Sequence, residues 1–491
     1  MNYYIILPSA AKFCCSLGWK YAHSAVLIGI TNLTALMSLM YQSHHIHQSH
    51  TMNRGCSLKK FLVISCLCPI AGNICYSKAY EYRSLFIAII GRLLIGFSST
   101  ELLSKHIILV FQVKGDATTE VARMKMAQIV GIVLALVLGS FDIQERRISF
   151  YGQSFVLNFK TMPCYIMAFA WIWLLISFLC FRFPAEEIHC ISPVEKRGEM
   201  SISASEHEDH RHYRIDSNYL LPGIHSRSFG ENIPDEDDQS ISVYNPHLSI
   251  KFGSMITSIQ RTKKLVMHNV ALPVTLLLYG SVNLIMEVML TSSVIITSRY
   301  FKWSVSHTGR ALSLLAALIL PVHLVTSYAS TKAGERLIMK KTLVVMGIGI
   351  LFLINYEALF VLCKDIHHLF RWESTDSPLT TYYDWNFGLA QYCSSATVIF
   401  LSCIALEGLS TTLMSKVSPE KLNKSPVNCS VIGPMLFCLC RFLGNTIIVI
   451  VGFSHRMINT DMVNSLAFIL LGICYCCFHI VRKHFFFLKG S

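Results

Sequence analysis

The feature that most constrains the fold of this chain is a series of eleven apolar runs, each about 20 residues long or longer. A run of that length can cross the hydrocarbon core of a bilayer as an α-helix. Only 14% of the 491 residues are charged, whereas about a quarter are charged in a typical soluble chain. The sequence therefore predicts an all-α, polytopic membrane protein. The runs are 23–42, 61–79, 85–111, 121–141, 162–182, 265–298, 308–330, 341–362, 388–415, 427–454 and 459–484.

A shorter apolar stretch, Tyr3–Phe13, precedes the first run. It is about half as long as a membrane span. We expect it to be the end of a twelfth helix, helix 1 of the fold, which is truncated because its beginning is absent from the chain.

One long polar segment, residues 183–264, divides the spans into two groups. It is rich in Ser, His, Asp and Glu, and such a composition buries too little apolar surface to fold. We interpret it as a cytosolic, disordered linker between an N-terminal transmembrane bundle (1–182, with helix 1 incomplete) and a C-terminal transmembrane bundle (265–484). Residues 485–491 form a cytosolic tail. Two six-helix halves joined by a central loop are typical of major facilitator transporters.

The basic residues indicate the orientation in the membrane. Most of the 42 Lys and Arg residues lie in loops on the same side as the linker, and the positive-inside rule assigns that side to the cytosol. The formal net charge of +13 follows from this topological signal and is weak support for nucleic-acid binding.

Six segments spread along the chain carry a family pattern. They are Tyr4–Gly18 (YIILPSAAKFCCSLG), Gly91–Ser99 (GRLLIGFSS), Thr161–Pro184, Met286–Trp303 (MEVMLTSSVIITSRYFKW), Leu406–Val417 (LEGLSTTLMSKV) and Arg441–Phe453 (RFLGNTIIVIVGF). Together they resemble the branch of the major facilitator superfamily that includes plant vacuolar phosphate transporters with an N-terminal SPX domain. Lysosomal ceroid-lipofuscinosis-type facilitators are more distantly similar. The resemblance implies the major facilitator fold of two six-helix bundles and alternating access to a central site.

The chain also departs from that family pattern. The 491 residues include no SPX domain ahead of helix 1, and two family carboxylates correspond to Ser292 and Asn445. A family basic cluster in helix 4 is replaced by Glu101, Ser104, Lys105 and His106. These departures leave the expected fold unchanged and weaken the implied phosphate specificity.

The segment Gly91–His106 places three charged residues in one apolar run. A charge at the bilayer centre costs about 2.5–3.5 kcal/mol on insertion scales. Glu101 and Lys105 are four residues apart and can neutralise each other on one helix face. Arg92 lies about half a turn away from Glu101 around the helix axis, so it needs another partner. Either it shares a central aqueous cavity with Ser99 and contacts an anion there, or it clamps helix 4 to a neighbouring helix through backbone carbonyls or a carboxylate.

Two isolated carboxylates, Glu287 and Glu407, lie in apolar surroundings. A carboxylate there can load and release a proton during transport, or it can form a salt bridge with Arg92 or Arg441. Arg441 is a further candidate for contacting an anion. The predicted substrate-binding or coupling residues are Arg92, Ser99, Lys105, Glu287, Glu407 and Arg441.

Other chemistry finds little support in the sequence. The histidine clusters His44–His50 and His207–His212 lie in predicted cytosolic loops, which do not provide the fixed geometry of a metal site. Cys363 and Cys393 flank one long loop and could pair if it faces an oxidising compartment. The sequence has no P-loop, GxSxG or HExxH motif. We therefore expect no enzymatic activity, no catalytic residue, no metal site and no cofactor.

The sequence thus predicts a secondary-active transporter of a small solute in a vacuolar or lysosome-like membrane. Its expected partners are the lipid bilayer and a small anion, phosphate first, with proton coupling through the buried carboxylates. Two alternatives remain open. The cargo could be chloride, an organic anion or a metal cation, or the chain could be a membrane scaffold or receptor that does not transport. The oligomeric state is not predicted.

Overall fold

The computed structural model describes residues 2–52, 57–98, 117–141, 143–150, 153–180, 271–356, 388–417, 429–458 and 462–484. These residues form fourteen helices and one β-hairpin. The predicted linker and C-terminal tail lie outside the described residues, as do Ser99, Glu101, Lys105 and Cys363.

The N-terminal half contains seven of these helices and the hairpin. A break at Ile6 separates the first two helices, and Pro8, whose ring fits the first turn of a helix, is the second residue of the second one. The elements are α1 (Asn2–Ile5), α2 (Leu7–Ser16), α3 (His23–Met52), α4 (Ser57–Glu81), α5 (Leu85–Phe97), α6 (Ala117–Gly139), β1 (Arg146–Phe150), β2 (Gln153–Leu157) and α7 (Met162–Cys180).

The C-terminal half contains the other seven helices. The predicted span 308–330 is divided at Leu318, where Pro321 cannot donate the backbone hydrogen bond that would continue the preceding helix. The helices are α8 (Ala271–Arg299), α9 (Val305–Ala317), α10 (Ile319–Ala333), α11 (Glu335–Leu353), α12 (Leu389–Val417), α13 (Cys429–Ile458) and α14 (Met462–His484).

The helical lengths confirm a polytopic membrane protein. Within the described part of the chain, eight segments are long and apolar enough to cross a membrane, and two shorter apolar helices accompany them. Each of the eleven predicted runs overlaps at least one observed helix. Large apolar side chains such as Phe86 and Trp173 are exposed, as expected for helices whose outer faces contact lipid.

The two halves pack against each other chiefly along two helix pairs, α3 with α13 and α6 with α9. One apolar cluster contains residues of both halves, including Leu7 of α2 and Ile285 of α8. Within the N-terminal half, α4 and α5 approach closely at Gly72 and Gly91. A Cβ atom on Gly72 would lie 2.6 Å from the Gly91 carbonyl oxygen, so only glycine permits this crossing. Gly91 directly precedes Arg92 and thereby sets the position of that arginine.

Two local features differ from the sequence prediction. The histidine-rich stretch His44–His50 was assigned to a loop, but its backbone continues α3 as far as Met52. The segment before α7 forms the antiparallel hairpin β1–β2, in which Ile148 is opposite Phe155. Hydropathy did not predict the hairpin because its strands, of five residues each, are too short to resemble spans.

Candidate functional site

A buried ion pair lies between α8 and α13 in the C-terminal half. Nε of Arg441 is 3.5 Å from Oε2 of Glu287. The side chain of Glu287 is fully buried and that of Arg441 is 5% exposed. Ionised groups inside a membrane protein are costly and commonly mark a functional pathway, so this pair is the starting point for the site.

The two oxygens of Glu287 have different surroundings. Oε1 accepts hydrogen bonds from the hydroxyl of Tyr3, from Nδ2 of Asn445 at 2.6 Å and from Oγ1 of Thr291 at 3.3 Å. Oε2 has no hydrogen-bond partner among the described residues and is adjacent only to the loose ion pair with Arg441. The carboxylate is therefore anchored through Oε1, whereas Oε2 can still accept a hydrogen bond or a proton.

The guanidinium of Arg441 is surrounded by aromatic rings. Its Nη2 donates a hydrogen bond to the hydroxyl of Tyr4. Its Cζ lies 4.1 Å from the ring centroid of Phe437, 4.6 Å from that of Tyr3 and 5.2 Å from that of Tyr4. Such cation–π contacts stabilise a desolvated guanidinium without supplying a second negative charge.

Helix spacing and small residues explain how this cluster forms. Thr291 follows Glu287 by one turn, and Asn445 follows Arg441 by one turn, so each pair shares a helix face. Asn445 Nδ2 also donates to the carbonyl of Arg441 at 2.8 Å. On the opposite side, α3 presents Gly29, where a Cβ atom would lie 2.8 Å from the Cβ of Asn445.

Arg92 lies apart from this ion pair and is fully buried. Its Nε donates to the carbonyl of Leu27 at 3.2 Å, and its Nη1 donates to the carbonyl of Asn2 at 3.4 Å. Its Cζ is 6.0 Å from the ring of Tyr76. These contacts match the predicted clamp through backbone carbonyls and join α5 to α3 and α1.

Glu407 of α12 lies at the edge of the cluster. It is half-buried and interacts electrostatically with Tyr4. The neighbouring residue, Gly408, faces α10, where a Cβ atom would come within 2.9 Å of Nδ1 of His323. The structure therefore brings three of the predicted residues, Glu287, Arg441 and Glu407, into one region.

Four further polar members of the cluster were not predicted as site residues. Thr291 and Asn445 could have been found from their one-turn spacing to Glu287 and Arg441. Asn445 was noted only as a departure from the family pattern. Tyr3 and Tyr4 carry no signal of this kind, because their partners are hundreds of residues away in the sequence.

Comparison with known proteins identifies relatives of modest similarity. No protein-family model matches the sequence. Two SPX domain-containing membrane proteins of Arabidopsis thaliana are each 26% identical over 97% of this chain and 62% of the relative. A protein of the same description from Oryza sativa subsp. japonica is 26% identical over 95% of this chain and 60% of its own length. The chain thus spans about three fifths of the length of these curated relatives.

Solved structures of transporters share the fold. A D-xylose-proton symporter aligns with a TM-score of 0.57 at 10% identity, covering 98% of this chain and 95% of the symporter. The nucleoside transporter NupG aligns with a TM-score of 0.53 at 11% identity over the full length of both chains. The chain is therefore a multi-pass integral membrane protein with the two-bundle fold of major facilitator transporters.

Proposed function

We propose that this chain is a secondary-active transporter of a small inorganic anion, with phosphate as the first candidate. It works by alternating access between its two helical halves in a vacuolar or lysosome-like membrane. The observation that carries the proposal is the buried Arg441–Glu287 pair, which bonds to the opposite half through Tyr3 and Tyr4.

The position of the cluster supports a role in transport. In alternating-access transporters the substrate binds near the bilayer midplane, between two halves that move relative to each other. Arg441 and Glu287 lie within long helices of one half, and α1 of the other half covers them. A ligand that binds differently to the open and closed arrangements would shift the equilibrium between them.

We assign separate roles to the charged residues of the cluster and to Arg92. Arg441 contacts the anion, because a guanidinium matches the geometry of a tetrahedral oxyanion. Glu287 and Glu407 are the coupling or gating carboxylates. Arg92 holds helices together through the carbonyls of Leu27 and Asn2.

The test is uptake of labelled phosphate into proteoliposomes that contain the purified full chain. We expect saturable uptake that is lost in Arg441→Ala and retained in Arg310→Ala, a control in which an exposed arginine of α9 is removed. Absence of saturable phosphate flux, in a preparation that transports another solute, would overturn the phosphate assignment. Colocalisation of a tagged full-length chain with vacuolar or plasma-membrane markers tests the proposed membrane.

A second candidate cargo is an organic anion. The rings of Tyr3, Tyr4 and Phe437 around Arg441 would pack against an apolar part of such a substrate while the guanidinium holds its carboxylate. Competition experiments separate the two cargoes. If aromatic carboxylates block phosphate uptake and are themselves transported with higher affinity, the organic anion is the substrate.

A further inference from the structure

We propose that Glu287 is a built-in competitor for the anion site. Its ionised carboxylate competes with a substrate oxyanion for the positive charge of Arg441, and it stops competing when it binds one proton and becomes neutral. This inference rests on the proposed function and adds the means by which anion binding and proton uptake are linked at the same site.

The first step in the argument is the unequal bonding of the carboxylate. All three donors to Glu287 that the structure describes bind Oε1, whereas Oε2 faces Arg441 without a hydrogen bond. A carboxyl group protonated on Oε2 can keep Oε1 as its carbonyl oxygen. The hydrogen bonds from Tyr3, Thr291 and Asn445 therefore persist after protonation, and the local structure does not have to rearrange.

The second step concerns Arg441. Its Nη2 is bonded to Tyr4, but its buried Nε lacks a hydrogen-bond partner among the described residues, since the 3.5 Å contact with Glu287 is an ion pair of poor hydrogen-bond geometry. A buried guanidinium N–H without an acceptor is costly. A bound oxyanion would accept one hydrogen bond from Nε of Arg441 and a second from the hydroxyl of Tyr4. It would thereby give the N–H at Nε the acceptor that it lacks.

The exchange balances in charge and in protons. The empty site holds Arg441 as a cation and Glu287 as an anion. One oxyanion binds Arg441 while one proton from water binds Oε2 of Glu287, which breaks the ion pair and leaves a neutral carboxyl group. Without the proton, the site would hold two anions beside one cation, and burial makes this unfavourable. Protons and anions therefore favour each other's binding by the same factor.

Among the described residues, the other charged and titratable groups around Glu287 are carried by several neighbouring helices. Arg441 lies on α13, and Tyr3 and Tyr4 lie on α1. Two more groups are further away. Glu407 of α12 interacts with Tyr4, and Arg92 of α5 interacts with Tyr3. The α14 helix contributes the thiol of Cys477, beside Ser281, and α9 meets α8 through Thr308 and Thr297. Among the residues that the structure describes, the contact with Arg441 is the one ion pair to Glu287.

The experiment measures equilibrium binding of labelled phosphate to the purified full chain, from mildly acidic to neutral pH. In the wild type, affinity should rise by about tenfold for each pH unit of acidification in the range where one proton is taken up per anion. Glu287→Gln should bind phosphate with the wild-type low-pH affinity at every pH, apart from the titration of phosphate itself. It should still exchange phosphate across the membrane but should lose accumulation driven by a pH gradient.

A matched control is Glu335→Gln, which removes a carboxylate that pairs with Lys416 at 2.8 Å in another part of the C-terminal half. This variant should retain the wild-type pH dependence. Tyr3→Phe supplies a second test if Glu287→Gln does not fold. It removes one hydrogen-bond donor to the ionised carboxylate, which makes protonation of Glu287 easier. The pH range over which phosphate affinity falls should therefore move to higher pH.

The outcomes distinguish the two proposals. If the wild type binds phosphate but Glu287→Gln keeps the wild-type pH dependence, or binds more weakly at every pH, the competitor role of Glu287 is wrong and the transport function stands. An unchanged pH dependence in Tyr3→Phe also overturns the competitor role. If the wild type neither binds nor transports phosphate, both proposals fail for this anion.

Discussion

Nη2 of Arg441 donates a hydrogen bond to the hydroxyl of Tyr4, a residue 437 positions earlier in the chain. Together with the bond from Tyr3 to Glu287, this contact connects the first turn of α1 to two helices of the opposite half. On its other side, α1 receives the hydrogen bond from Arg92 to the Asn2 carbonyl. The short helix α1 is therefore bonded to both halves, and the proposed alternating access would require its contacts with α8 and α13 to change.

The first prediction concerns Tyr4→Phe. The substitution keeps the ring beside Arg441 but removes the hydroxyl that receives its hydrogen bond. A hydrogen bond to a charged group contributes about 1.5–3 kcal/mol. The free energy of unfolding should fall by that order, and thermal unfolding of the detergent-solubilised protein should occur at a lower temperature.

The control for this variant is Tyr475→Phe, because Tyr475 lies on the outer face of α14 and is 68% exposed. Its unfolding temperature should stay at the wild-type value. Equal effects of the two substitutions would contradict the bond between Tyr4 and Arg441.

The second prediction separates the two roles considered for Arg92. In Arg92→Lys, a single ammonium group replaces a planar fork that reaches the carbonyls of both Leu27 and Asn2, and lysine does not reproduce that geometry. We expect a loss of about 1–3 kcal/mol in the free energy of unfolding, with one buried carbonyl left without its donor. The phosphate affinity of the folded fraction should be unchanged.

The matched control is Arg310→Lys, at an exposed position of α9. It should change neither stability nor affinity. If Arg92→Lys instead lowers phosphate affinity by tenfold or more at wild-type stability, Arg92 contacts the anion.

The third prediction uses the close approach of α3 to α13. In Gly29→Val, the new Cβ atom would be placed 2.8 Å from the Cβ of Asn445, which is too short for a normal contact, so the helices must separate or Asn445 must move. Either change disturbs the hydrogen bond from Asn445 to Glu287. Overpacking of this kind costs about 1–3 kcal/mol, and transport per folded molecule should also fall.

Gly472→Val of α14 is the corresponding control. A Cβ atom at Gly472 has no described atom within 4 Å, so the same change of side chain adds volume without a clash. Transport by Gly472→Val should equal that of the wild type. A comparable loss in both variants would indicate a general effect of valine in these helices.

The sequence predicted the helical architecture because the physical requirement is local. Each span must be apolar over about 20 residues whatever it packs against. The same reasoning failed for β1–β2, where pairing between neighbouring strands decides the structure. It also failed for His44–His50, where a polar stretch continues the helix that precedes it.

The site was predictable only in part. Buried carboxylates and arginines are conspicuous in apolar runs, so Glu287, Glu407 and Arg441 were selected as candidates, and a salt bridge between Glu287 and Arg441 was one of two interpretations considered. Which arginine pairs with which carboxylate depends on helix packing, and packing placed Arg92 against main-chain carbonyls. The roles of Ser99 and Lys105 remain predictions because both residues lie outside the described ranges.

The last prediction concerns how the hairpin is attached. Oε1 of Glu81, at the end of α4, accepts a hydrogen bond from the backbone N–H of Val156 in β2 at 3.1 Å. Its Oε2 is paired with Nζ of Lys78 at 2.8 Å. Glu81→Ala removes this charged acceptor, and a hydrogen bond to a charged group contributes about 1.5–3 kcal/mol. The population of the locally opened hairpin should therefore rise by about tenfold or more.

Limited trypsin digestion of the solubilised protein measures this opening, since β1 begins with Arg146 and Arg147. Cleavage after these residues should be about tenfold faster in Glu81→Ala than in the wild type, because cleavage follows the population of the open form when opening and closing are fast. Glu335→Ala removes a carboxylate paired with Lys416 on other helices and should leave the cleavage rate unchanged. Equal rates in the wild type and Glu81→Ala would show that Glu81 does not hold the hairpin against α4.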